Sequence, residues 1–271
     1  MSDHLKHAPL GQTTEYVCEY DPKQLFPIPR TNNWQGRGYD KVPFRGCDIW
    51  NAYELSWLNP KGLPQVATAE FRVPCESPHI IESKSFKLYL NSFNLSRFES
   101  ADEVRQRMIE DLSQAAGALV TVVIQSVEAP ARIDQLQGEC LDQQDVEIEH
   151  YQPAPQLLRT IHGDPVDEQL YSHLLKSNCP VTGQPDWASI QIDYRGDPID
   201  RAALLQYLVS YREHGDFHEQ CVEQIFLDIL DHCQPQQLSV YARYLRRGGL
   251  DINPFRSTEA FAPDNIRLVR Q

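Results

Sequence analysis

The chain has 271 residues, 41% hydrophobic and 23% charged, with a formal net charge of −13. That is enough soluble-type sequence for one large core or two ordinary ones. The acidic balance argues against broad nucleic-acid backbone binding, a local basic patch apart, and favours a small-molecule partner. No apolar stretch is long enough to span a membrane, and the N-terminal MSDHLKHAPLGQTTEY lacks the apolar core of a signal peptide, so a cytosolic protein is expected.

The elements are read in chain order. Ile49, Asn51, Tyr53 and Leu55 alternate with their neighbours as in a strand, and Val66 to Val73 reads as a second. A helix is expected near residues 82–90. Another starts at Ser100, which forms a capping box with Glu103 and leads a stripe of Val104, Met108, Leu112 and Ala115. Gly117 ends it, and Leu119 to Val127 is a strand rich in β-branched residues. Residues 137–156, QGECLDQQDVEIEHYQPAPQ, read as an edge strand followed by a linker. Ala188, Ile190, Ile192 and Tyr194 alternate with Ser189, Gln191 and Asp193 as a half-buried strand. Asp200 caps a helix to about Tyr211. After Gly215, Phe217, Cys221, Ile225 and Ile229 share one helix face, and Leu238, Val240, Ala242 and Tyr244 mark a later strand.

The two halves echo one another. Tyr89-Leu90-Asn91-Ser92-Phe93 recurs 118 positions on as Tyr207-Leu208-Val209-Ser210-Tyr211, and Ile81-Glu82 recurs as Ile199-Asp200. Duplication of a β-β-α-α-β-β unit follows: an α+β fold with helices on one face of an antiparallel sheet, divided into domains 1–150 and 151–271.

The seven cysteines are odd in number and never form a C-x-x-C pair, so they make a poor disulfide or zinc framework. Cys221 and Cys233 are packing candidates. Cys179 differs, because Pro180, Gly183 and Pro185 place it in a turn, with Asp186 seven residues on. A thiol attacks as the thiolate, and a neighbouring group must manage the proton. The plain alternative is a small buried hydrophobe beside a solvated turn carboxylate.

Three further segments can carry chemistry. Glu82-Ser83-Lys84-Ser85-Phe86-Lys87 opens a helix with hydroxyls and lysines that suit a phosphate, or is simply a capped amphipathic helix. Phe217-His218-Glu219 offers a carboxylate for the N–H edge of a guanine-like ring and an imidazole that titrates near neutrality; His214 shares its face only if the helix continues back. Arg246-Arg247-Gly248-Gly249 suits close approach to a phosphate, or is a basic hairpin turn.

Taken in order, ESKSFKLYLNSF, SNCPVTGQPDW, YREHGDFHEQC and SVYARYLRRGGLDINPFRS resemble the long, two-domain NADPH-dependent 7-cyano-7-deazaguanine reductases over essentially the whole chain. The resemblance implies tandem tunnelling-fold units, a homodimer, and two-NADPH reduction of a nitrile to an amine in queuosine biosynthesis for tRNA. It implies that Cys179 forms a covalent thioimide and that Asp186 transfers a proton, with His218 supplying a later one. Ile81, Glu82, Ser83, His218 and Glu219 would bind the deazapurine, while Ser83, Lys84, Arg247 and Gly248 would hold NADPH. No metal is expected. The first half has Asn59 and Gln65 where the second has Cys179 and Asp186, which implies one site per chain drawn from both halves. The rival readings are a metal-dependent pterin-forming cyclohydrolase, a silent purine-binding module and a thiol hydrolase that turns the nitrile into an acid.

Overall fold

A computed structural model of the chain describes residues 16–30, 34, 37–39 and 41–271. Only Tyr16 of the N-terminal stretch read above falls among them. The chain forms two compact units that interleave along the sequence. The first takes in the described residues of Met1–Gln35 with Asp48–Ala131 and Arg246–Asp251; the second takes in those of Gly36–Cys47 with Arg132–Leu245 and Ile252–Gln271. Arg132 to His150 fall in the second unit, and Arg246–Asp251 returns to the first.

In the first unit the elements are β1 (Pro27–Pro29), β2 (Arg45–Leu58, in this unit from Asp48), β3 (Pro64–Pro74), β4 (His79–Ile81), α1 (Ser83–Asn91), α2 (Ala101–Ala116) and β5 (Thr121–Gln125). The main sheet runs β5-β3-β2, with Phe71 opposite Val122 in an antiparallel pair, while β1 and β4 pair separately. Ser100 caps α2 by accepting from the Glu103 N–H, and the Glu103 carboxylate reaches back to the Glu99 N–H. The buried stripe is Val104, Met108, Leu112 and Ala116. Ala116, rather than the expected Ala115, closes it because the spacing is held at four residues. Phe86 of α1 packs its ring against Trp50, Phe71 and Tyr89, with centroids 4.9 to 6.3 Å apart.

In the second unit they are β6 (Glu139–Cys140), β7 (Val166–Ser172), β8 (Lys176–Asn178), β9 (Pro185–Gly196), α3 (Arg201–Val209), α4 (His218–Cys233), β10 (Gln237–Tyr244) and β11 (Leu250–Ser257, in this unit from Ile252). The order is β11-β10-β9-β7-β6, antiparallel except for β6 with β7, and β8 also pairs with β9. α4 packs on β10. It buries polar residues as well as apolar ones: Glu223 holds Arg256 at 2.7 Å, and Asp228 holds Arg37 at 2.6 Å. Buried charge is tolerable only when paired in this way. The stretch 137–156 contains the short edge strand β6 and otherwise little regular structure.

The repeat is visible in matching hydrogen bonds. Glu82 caps α1 and Asp200 caps α3. Ser92 Oγ donates to the Tyr89 carbonyl and Ser210 Oγ to the Tyr207 carbonyl, each at 2.6 Å. The Tyr89 hydroxyl donates to Asp111 on α2, and that of Tyr207 to Asp228 on α4. The second half runs β7, β9, α3, α4, β10, β11 around the short β8, the expected β-β-α-α-β-β order. In the first unit a single described strand, β5, follows the helices.

Candidate active site

Cys179 sits where β8 turns into β9. Ser177 pairs with Asp186 and Asn178 with Pro185; the Cys179 N–H donates to the Gln184 carbonyl at 2.9 Å, and the Gly183 N–H returns to the Cys179 carbonyl at 3.0 Å. Gly183 has φ +69°, which the turn requires and glycine supplies without strain. Directly opposed residues share a sheet face, and so do residues two apart on one strand. Cys179, Ser177 and Asp186 therefore occupy the same face of the hairpin, with the thiol and the carboxylate as diagonal neighbours. All three are buried.

The start of α4 is fastened beside this turn. Asn178 N–H donates to the His214 carbonyl at 2.8 Å, Asp216 N–H to the Asn178 carbonyl at 3.1 Å, and a Cβ on Gly215 would lie 3.7 Å from Pro180. His214 ends the 3-10 turn that follows α3 and is not part of α4, so it does not share the His218 face. His218 opens α4, and its Nε2 lies 3.3 Å from Asp186 Oδ2. Its ring stacks on Tyr244 at 3.8 Å between centroids with planes 1° apart. Glu219 follows in the first helical turn, where negative charge is favoured, and is 3% exposed. Burial pushes the Tyr244 phenol well above its ordinary range, reinforced by Cys221, Asp186 and Glu219. Burial likewise raises the Cys221 thiol, which keeps it an inert packing residue.

The other candidates lie in the first unit. Glu82 is fully buried and is the N-cap of α1: its carboxylate accepts from Lys84 N–H at 2.7 Å and Ser85 N–H at 2.8 Å, with Ser83 Oγ at 3.4 Å. Desolvation raises its pKa, opposed by those hydrogen bonds. The cap takes up two N–H groups of the helix start, so a phosphate there would rely on side chains. A carboxylate has about four acceptor sites, which leaves capacity for the donor edge of a ring. Ile81, the last residue of β4, is buried opposite Pro27.

The arginine-glycine turn adjoins α1. A Cβ on Gly248, at φ +57°, would lie 2.2 Å from Lys87 Nζ, and one on Gly249 would lie 2.4 Å from the Glu54 carboxylate carbon. Arg246 lies over the Tyr53 ring at 4.1 Å. Gly248 is thus packed closely against the Lys87 amine, with Arg246 two residues earlier in the same turn. The donor set of Arg246 and Lys87 suits the phosphates of a dinucleotide. The sequence marks Lys87 as one of two lysines suited to a phosphate but not its meeting with Gly248, which is distant along the chain, and Tyr244 reads only as an inward strand residue. Among the described residues, no group of three or more His, Cys, Asp or Glu is placed to hold a metal. No described helix is long and apolar enough to cross a membrane.

The α+β scaffold thus carries a buried thiol on a hairpin, on the same face as a carboxylate that contacts an imidazole. A family model described as nitrile reductase, 7-cyano-7-deazaguanine-reductase N-term, matches residues 16–124, and one described as QueF-like protein matches 185–262. The NADPH-dependent 7-cyano-7-deazaguanine reductases of Bordetella pertussis and Bordetella avium are each 56% identical over 271 residues, covering 98% of this chain and 99% of theirs. A solved archaeosine synthase QueF-Like structure aligns with 37% of this chain and all of its own at 16% identity and a TM-score of 0.32. The chain belongs to the NADPH-dependent 7-cyano-7-deazaguanine reductase family.

Proposed function

We propose that this protein reduces the nitrile of 7-cyano-7-deazaguanine to the aminomethyl group with NADPH, through a thioimide on Cys179. The chain is an oxidoreductase of its family, and the family's name supplies the reaction. The observation that supports the covalent route is the shared hairpin face of Cys179 and Asp186, with His218 in contact with the carboxylate.

The roles are those the family resemblance implies, and the chemistry of the residues fits them. Sulfur bonds to the nitrile carbon while Asp186 takes the thiol proton and passes it to the nitrile nitrogen. The thioimide so formed is at the oxidation level of the nitrile. NADPH, when bound, supplies a hydride; nitrile to amine needs four electrons, hence two NADPH and two further protons. Between the two reductions the C–S bond breaks and Cys179 regains its thiol. His218 supplies a proton after the first stage. Glu219 and Glu82 accept from the donor edge of the ring, with Ile81 and Ser83 beside it. Ser83, Lys84, Arg247 and Gly248 hold NADPH.

The same reading places the product in the supply of a modified tRNA base and the protein in the cytoplasm as a homodimer. The test is a stoichiometric one. Wild type should oxidise two NADPH per amine formed, detected together by nicotinamide absorbance and product mass. NADPH left untouched while nitrile disappears would favour the hydrolase reading, and activity lost on chelation would favour the metal-dependent one.

A further inference from the structure

We infer that Tyr244 is a positioning residue for His218, and that Asn253 and Gln271 hold it in place; the inference rests on the reductase reading above. His218 opens a helix, where side chains are least restrained by the helix itself. Among the described residues its one polar contact is Nε2 to Asp186 at 3.3 Å, and its Nδ1 is buried without a hydrogen-bond partner among them. A buried N–H at Nδ1 would have no acceptor, so the neutral ring keeps its proton on Nε2, towards Asp186. A single contact does not fix the plane of an imidazole. The parallel Tyr244 ring, 3.8 Å away, does.

Tyr244 is itself clamped. The β10–β11 register runs to Tyr241 opposite Phe255. Beyond it, side chains satisfy the Tyr244 backbone: its N–H donates to Asn253 Oδ1 at 3.1 Å, and its carbonyl accepts from Gln271 Nε2 at 3.0 Å. Gln271 Nε2 also donates to Asn253 Oδ1 at 2.8 Å, while its Oε1 accepts from Arg243 Nε at 3.0 Å and Leu268 N–H at 3.2 Å. The carboxamide uses two donors and two acceptors, the full capacity of the group. The Tyr244 hydroxyl is buried, with Ser177 and Cys221 as its polar neighbours. The stack on His218 is made by the ring, which Tyr244→Phe keeps.

The test is a double-mutant cycle on preformed adduct. Wild type, Tyr244→Leu, His218→Ala and the double variant are loaded with 7-cyano-7-deazaguanine, the adduct is verified by intact mass, and its reduction by NADPH is timed. Tyr244→Leu should form adduct but reduce it about tenfold more slowly, Tyr244→Phe should restore the rate, and Tyr244→Leu should cost less than about twofold in the His218→Ala background. Gln271→Ala, a milder change, should show the same dependence on His218. An equal cost of Tyr244→Leu or Gln271→Ala with and without His218 overturns the inference, as does a Tyr244→Phe rate as low as that of Tyr244→Leu. Absence of adduct in wild type would instead refute the covalent reading on which the inference rests.

Discussion

His218 Nε2 and Asp186 Oδ2 lie 3.3 Å apart, and the two residues reach that contact from different elements. Asp186 comes from the second position of β9 and His218 from the first turn of α4. The loop that joins α3 to α4 is bonded to Asn178, the residue before Cys179. Thiol, carboxylate and imidazole are thereby tied to one backbone junction, so the relative placement of the three does not depend on a mobile lid.

Cys179→Ala should abolish steady-state NADPH oxidation while leaving ring binding largely intact, because the change removes the sulfur and little packing volume. Calorimetric binding beside an absorbance assay checks both halves. Residual turnover at even a few per cent would contradict a covalent route.

Asp186→Asn preserves the shape of the side chain but not its ability to take a proton. Adduct formation should slow by about 10²-fold or more, the usual reach of general acid–base assistance. Rapid mixing followed by mass analysis measures it. An unchanged rate would remove Asp186 from the proton path.

Glu82, proposed above as a ring ligand, also bears on stability. Its folded-state pKa is raised by burial above the ordinary 4.5. The folded protein thus binds the Glu82 proton more tightly than the unfolded chain. Its stabilising contribution is present below about pH 4.5 and is lost as the pH rises from there through the folded value, levelling off beyond it. Glu82→Gln should flatten this part of the stability profile in denaturant titrations run across pH. A wild-type stability that rises relative to the variant through that window would reverse the sign and refute the argument.

Gly248→Ala should raise KM for NADPH several-fold with a much smaller effect on kcat. A methyl at φ +57° is strained and displaces the Lys87 amine. Initial-rate kinetics at saturating nitrile separate the two constants. A change in kcat alone would take this turn out of cofactor binding.

Much of the architecture is legible along the chain because it is local. Ser100 and Asp200 are small acceptors placed before helical stripes, and β9 shows its two-residue period directly. The cap at Glu82 is less legible, since glutamate is not a favoured N-cap and its sequence reading was a ligand contact. The short strand β8 is hidden because Lys176 to Asn178 is too brief to show a period. The pairing of Cys179 with Asp186 was readable from turn residues, but their shared face became evident only from the register of Ser177 opposite Asp186. The Tyr244 stack and the meeting of Lys87 with Gly248 depend on tertiary placement, which no spacing rule encodes.

The most direct measurement is the intact mass of the protein mixed with 7-cyano-7-deazaguanine in the absence of NADPH, with Cys179→Ala alongside. The account predicts an added mass equal to the whole substrate, missing in the variant and removed when NADPH is supplied. A folded, substrate-binding wild type that gains no mass would contradict it and return Cys179 to the role of a buried packing residue.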